Sequence, residues 1–475
     1  MKLSMVVGGV MLAAVAAGLG GPYWAGIHAE KNYDEIIHEA AQNYGIDPKD
    51  AVYHRGWFTS SSRIKFYIPG AKGKNKSRAI SLVSEIHHGP VVFGVLDHPV
   101  FAASVVVTTL SLPHDLDATL HYYFGDRPPL RMTTSVGFDG SSKTHISSPV
   151  YMGPTQDGKL TINWKGADGD STSTVTSQGE NVTSHIKVPG FLVKGQGGEL
   201  EIKSIELSGH GRRVQSGIFE SHTTASLAKF NLNISGPKGG DTQLSLSGLS
   251  MSDDLVPKAH MLSLKVGTQL DGLVLVGQNF GPAHYDMELR NISEKGAVEY
   301  IKMIRDMRNM QLNRGRRNEI MARLGSQGMA LADEILKRSP QFEISRASLV
   351  TPQGEIAGRL LVTFDGDDEI NMKNPVILIN RVHAEANVEV PEMLFKTVLA
   401  GIARRQLTTS LKAKGQEMPD ETTLTTTAMS VMEQEIQSME DNGFIVNQGG
   451  HYTTTLLYDK GLLTVNGRPM GSQGL

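Results

Sequence analysis

The sequence predicts an α+β fold: a long twisted antiparallel β-sheet body with pairs of amphipathic helices, following an N-terminal transmembrane helix. Three observations predict it. From Val52 to Asn291 short runs rich in Val, Ile, Thr and Ser alternate with period two, and Gly, Asn, Asp or Pro separates them. Over 294–338 and again over 391–441 the apolar period changes to three or four, the helical spacing. Ahead of both, Leu3–Ile27 runs 25 residues without a charge, long enough to cross a bilayer, which takes about 20 apolar residues. These shifts divide the chain into 1–27, a membrane anchor or signal segment; 28–293, a β-rich region; 294–338, a helical pair; and 339–475, an α+β region that closes the sheet.

Tyr23 and Trp24 end the apolar segment, where amphipathic rings favour the membrane interface. Lys2 and the amino terminus are the only positive charges before it, which favours a cytoplasmic N-terminus and a body outside. Gly8, Gly9, Gly18, Gly20 and Gly21 dilute its hydrophobicity, and Ala14-Val15-Ala16 offers a small-x-small cleavage site. The competing reading is therefore a cleaved signal peptide that releases a soluble body. Residues 28–50 read as a helix with Ile36, Ile37, Ala40, Ala41 and Tyr44 near one face, stopped at Gly45.

The strands expected next are Arg63–Ile68, Val91–Leu96, Val105–Leu112, Asp117–Phe124, Leu130–Val136, Lys159–Trp164, Phe230–Ile234, Gln243–Leu246 and Leu262–Val266. Many carry Ser or Thr on alternate positions, which predicts one wet face and one packed face. Val298, Ile301, Ile304 and Met307 give one helix, and Ile320, Leu324, Leu331 and Ile335 a second, joined by the basic run Leu312–Arg317. Thr351-Pro352-Gln353-Gly354 reads as a hairpin turn between Phe342–Val350 and Glu355–Phe364. Val382 to Val390 alternates strictly, and Pro391 suits the first turn of a helix with Leu394, Val398 and Ile402 on one face. A last helix places Met429, Met432, Ile436 and Met439 on a stripe read as core. Phe444–Val446, Tyr452–Tyr458 and Gly461–Val465 then close the chain as a β-meander.

Composition narrows function by exclusion. A net charge of −3 over 475 residues gives no field to attract nucleic acid. With no cysteine there is no disulfide, thiol nucleophile, thiolate metal site or lipidated cysteine. Gly153–Lys159 has part of a phosphate-binding loop, but Leu160 stands where the hydroxyl residue belongs, and Asp157-Gly158 reads as a turn. His87 and His88 are adjacent on a strand and point to opposite faces, so they do not share a metal ion with His98. No cofactor, metal or catalytic residue is assigned. Arg55-Gly56-Trp57-Phe58 reads either as a recognition loop or as a strand start with both rings packed in the core, and the packing reading is preferred because buried aromatics usually serve packing.

Four stretches together resemble the YdgA-like family of bacterial envelope proteins of unknown function. They are Gly21–Gly26, Tyr53–Ser60 with Arg55, Gly56, Trp57 and Phe58, Ile86–Pro90 with His88, Gly89 and Pro90, and Gly461–Pro469 with Asn466 and Gly467. The resemblance implies a Gram-negative inner-membrane protein, single-pass, with its body in the periplasm, and it carries no catalytic residue. The resulting expectation is a non-enzymatic protein that offers a β-sheet groove to lipid or an envelope partner. A homo-oligomeric scaffold and a periplasmic hydrolase with a non-local active site are the alternatives.

Overall fold

The structure, a computed structural model, describes residues 51–68, 78–112, 114–177, 179–213, 219–235, 241–300, 303, 317–368 and 374–470. The expected anchor, the helix over 28–50 and residues 312–316 of the basic run lie outside these residues. The chain divides into two compact units. The first takes the chain up to Pro257 together with Ala297–Gly328, and the second takes Lys258–Gly296 with Met329–Leu475. Among the described residues no helix is long and apolar enough to cross a membrane.

The first unit is an antiparallel meander in which most strands pair with their sequence neighbours. Ala51–His54, Thr59–Ile68, Arg78–His88, Ser104–Ser111, Arg131–Val136, Ser142–Ser148, Ala167–Thr176, Gly179–Gly195, Gly198–Arg213, Phe219–Ser235 and Asp241–Lys258 follow one another across it. The hairpin Tyr151–Pro154/Leu160–Trp164 adds to the far half of the Gly179–Gly195 strand. Its core joins Ile80, Leu110, Leu130, Met132, Ile146 and Ile186, next to a second cluster around Ile162, Trp164, Val188 and Phe191.

Three expectations are corrected here. Asp117–Phe124 is not a strand but part of the helix His114–Phe124. Its even-numbered apolar residues satisfy period two, yet burial follows the helical face. Leu120 packs with Tyr123, Phe124 and Leu112, while Tyr122 points out to solvent. Val91–Leu96 shrinks to the two-residue strand Val91–Val92, because Gly94 turns the chain with φ +75°. The Ser and Thr positions are not a wet face, since Ser60, Ser62, Ser84, Thr134, Thr144, Ser171 and Ser173 are buried. Cross-strand hydroxyl pairs satisfy several of them: Ser84–Thr108 at 2.8 Å, Thr134–Thr144 at 2.9 Å and Ser171–Ser184 at 2.7 Å. A hydroxyl that finds a partner in the sheet avoids the penalty of burial unpaired.

In the second unit Met261–Leu275, Ala283–Ser293, Gln341–Thr351, Gly354–Phe364, Val382–Pro391, His451–Asp459 and Leu462–Val465 pair antiparallel in that order. Thr351–Gly354 forms the expected hairpin turn, with Gly354 at φ +129°. Helices Glu392–Ala413 and Glu421–Asp441 are inserted before the last hairpins. Pro391 ends a strand and caps the first of these helices, and does not sit in its first turn. The closing strand starts at Val446 rather than Phe444, whose N–H instead closes the preceding helix onto the Met439 carbonyl at 2.8 Å.

The buried face of the first helix is one position away from the expected one, and in the second helix Met429 alone leaves the expected stripe. Phe395, Leu399 and Ala400 pack against Met432, Ile436, Ile445 and Tyr452, whereas Val398, Ile402 and Met429 are exposed. Met432 and Met439 are core, as expected.

Asp420 caps the second helix by accepting the Thr423 N–H at 2.9 Å and its hydroxyl at 2.7 Å. The backbone bond first and then the hydroxyl hold this carboxyl below its ordinary value. A depressed folded-state pKa contributes stability above the unfolded value that is lost as pH falls through the folded one. Urea midpoints compared at neutral pH and at about pH 3, below the ordinary Asp value, should therefore fall less in Asp420→Asn than in the parent. Asn keeps the capping oxygen but does not titrate.

Candidate functional site

The longest strands present two chemically different faces. Across Gly198–Arg213, Phe219–Ser235 and Asp241–Lys258 the register sets Leu200, Leu232 and Leu244 side by side, then Ile202, Phe230 and Leu246, then Ile205, Leu227 and Leu249. All nine are half-buried rather than buried. The opposite face carries polar rows: Glu201 accepts from Asn231 at 3.0 Å, and Ser245 donates to Asn231 at 2.6 Å. Two ion pairs add to the ladder, Lys203–Glu201 at 3.1 Å within the strand Gly198–Arg213 and Lys187–Glu206 at 2.7 Å from the neighbouring strand Gly179–Gly195.

Strict alternation would put Ile202 and Ile205 on opposite faces. The ladder skips Pro189, Ser204, Ala228 and Gly248 in four successive strands. Ser204 at φ +43° and Gly248 at φ +60° take left-handed conformations there. This crease shifts the alternation by one, so apolar residues line the same face on both sides of it.

The second unit has its own apolar rows. Val266, Met287, Ile344, Leu360, Ala386 and Leu456 lie opposite one another in six successive strands, and Leu264, Leu289, Phe342, Val362, Ala384 and Tyr458 form the next row. These are likewise half-buried. Nothing in the sequence pattern separates such rows from ordinary core; only the register and the residual exposure do.

The sequence motifs fall in two places. Arg55–Phe58 and His88–Pro90 meet at one end of the first unit. The Phe58 carbonyl accepts the His88 N–H at 2.8 Å, and the His88 ring meets the Ser60 hydroxyl at 2.9 Å. His87 instead lies 3.4 Å from Glu85, so the two histidines are indeed separated. Two glycines are required here: a Cβ at Gly56 would stand 2.0 Å from the Thr59 carbonyl oxygen, and one at Gly89 1.8 Å from that of Ala102. Gly89 and Ala102 are further tied by bonds to Ala103 and Pro90, over a small core of Val92, Ala102 and Val105.

The preferred packing of the Trp57 and Phe58 rings is overturned. Trp57 is 95% exposed and Phe58 81%. Phe93 (69%) follows the short strand Val91–Val92, Phe101 (74%) lies on its partner strand Val100–Phe101, and Phe138 (60%) follows the strand Arg131–Val136, with Phe101 and Phe138 ring centroids 5.0 Å apart. The sequence does not single out these three: Phe93 falls inside the expected strand Val91–Leu96, and isolated phenylalanines carry no periodic signal.

Asn466 and Gly467 lie in the second unit and are structural. At φ +49° and +76° they make a tight turn. The Asn466 side chain accepts the Thr455 N–H at 2.8 Å and donates to the Gly443 carbonyl at 2.9 Å, tying the last hairpin to a helix end. Asn466→Ala is expected to cost about 1–3 kcal/mol, because both bonds go and the backbone conformation disfavours a Cβ. A shift of the urea midpoint measures it.

One further cluster stands apart. His145 lies 3.4 Å from Asp170 and 3.6 Å from Asp168, all exposed. Its two ring nitrogens each face a different carboxylate.

Fold and surface together define a β-meander protein of two units, with apolar sheet faces and an exposed aromatic end. The chain belongs to DUF945, a family of bacterial proteins of unknown function, whose model matches residues 1–472. No curated protein and no solved structure matches it.

Proposed function

We propose that this is a non-enzymatic envelope protein that holds lipid acyl chains along its apolar β faces. Residues 3–27 anchor it in the bacterial inner membrane, and the body stands in the periplasm. The observation that carries the reading is the set of half-buried apolar rows, nine side chains in three rows in the first unit. Apolar surface left partly in water gains about 25 cal/mol per Å² when a ligand covers it, and contiguous patches of this kind mark binding sites. The charge-free Leu3–Ile27 segment supports the anchor, and the resemblance to the YdgA-like family supports the periplasmic location.

Native mass spectrometry of the full chain, extracted from membranes in mild detergent, tests this. The expected spectrum shows the 51.5 kDa chain with added mass in phospholipid-sized steps. A chain that is empty under conditions preserving lipid on a known carrier would overturn the proposal.

A further inference from the structure

We infer that the aromatic end of the first unit is a second membrane contact, one that seats Trp57, Phe58, Phe93, Phe101 and Phe138 in the interfacial layer of a phospholipid bilayer. The inference rests on the anchored reading above, but not on lipid being carried.

Five large rings on segments that backbone bonds gather at one end of the unit, each more than half exposed, are costly to leave in water. Flexible loops would fold such rings back; these cannot. Gly56 and Gly89 fit their neighbours with no room for a side chain, and backbone bonds fasten the two loops to each other and to Val136. The rings are thus held outward by a rigid base. Trp and other aromatic rings partition to the headgroup boundary of a bilayer.

Chain length gives the geometry for this occupant. The strand Ala51–His54 leads directly into the loop bearing Trp57. Only residues 28–50 separate it from the apolar segment ending at Ile27. That spacer spans roughly 35 Å if helical and at most about 80 Å if extended. The aromatic end is therefore tethered within reach of the same bilayer surface in either case. Charges of both signs sit nearby (Arg55, Asp97, Asp139), so contact should depend on the rings more than on anionic lipid.

Trp57 reports on this directly. The chain has three tryptophans; Trp24 is removed by Trp24→Phe, and Trp164 is buried and bonded to Ser148 at 3.0 Å, so it serves as a shielded reference. The full-length Trp24→Phe protein is reconstituted in phosphatidylcholine vesicles, with and without phosphatidylglycerol, using lipids brominated near the headgroup. Trp57 emission is expected to shift blue and lose at least about half its intensity to brominated lipid in both compositions, while protection from aqueous iodide increases. A second probe, Phe138→Trp in a Trp24→Phe/Trp57→Phe background, should behave alike from a separate loop. Probes that stay open to iodide and unquenched by brominated lipid would overturn the inference. So would iodide protection that appears in detergent without vesicles and grows with protein concentration, which would assign the end to a second copy of the chain. Lipid co-purification does not enter this readout, so an empty groove and a detached aromatic end give different results.

Discussion

Phe230→Asp in the full-length chain is expected to lower co-purifying phospholipid at least about tenfold. Phe230 sits in the middle of the apolar rows, between Ile202 and Leu246, and is half-buried. A carboxylate there must lose its hydration when an acyl chain covers the row, at a cost of several kcal/mol, and each 1.4 kcal/mol is tenfold in affinity. Asn233→Asp is the matched control. It lies three positions along the same strand, on the polar face between Glu199 and Gln243, and is exposed. It adds the same charge and should leave the lipid count unchanged. Urea midpoints for both variants separate a lost ligand from a lost fold.

Ile146→Ala should be the most damaging truncation in the first unit. Ile146 is fully buried, inside the cluster of Ile80, Leu110, Leu130, Met132 and Ile186 contributed by neighbouring strands. Removing its side chain leaves a cavity that a paired sheet cannot close, at about 2–5 kcal/mol. Because the chain has two compact units, unfolding need not be a single transition. Trp164 lies in the first unit, so its fluorescence should follow the destabilised transition to lower urea. Circular dichroism should retain a later transition at the parent midpoint, contributed by the second unit.

Much of the fold was legible because it is local. The Thr351–Gly354 turn and the strand from Val382 to Val390 are set by turn chemistry and period two, and both elements appear where read. What failed depends on information that a period does not hold. Leu116, Ala118, Leu120, Tyr122 and Phe124 satisfy a strand and also a helix, and tertiary contact of Leu120 with Leu112 selects the helix. The crease at Ser204 and Gly248 breaks alternation where a strand reading assumes it continues. Buried Ser and Thr look like a wet face until the register pairs Thr134 with Thr144.

The candidate site was half legible. Arg55–Phe58 and His88–Pro90 stood out as unusual runs, and the structure brings them together. Their role was misread because aromatic rings at a strand start are usually core, whereas here the glycines beside them hold the loops closed and leave the rings outside. Phe93, Phe101 and Phe138 become visible only once strand pairing and backbone bonds bring their segments to one end.

The most direct test of lipid on the β face is photo-crosslinking in native membranes, with a benzophenone amino acid placed at position 232 or at position 233. Leu232 lies on the apolar row with Leu200 and Leu244, and Asn233, its neighbour, faces the other way. The account predicts a phospholipid adduct from position 232 and none from 233. No adduct at either position, or equal adducts at both, would contradict it.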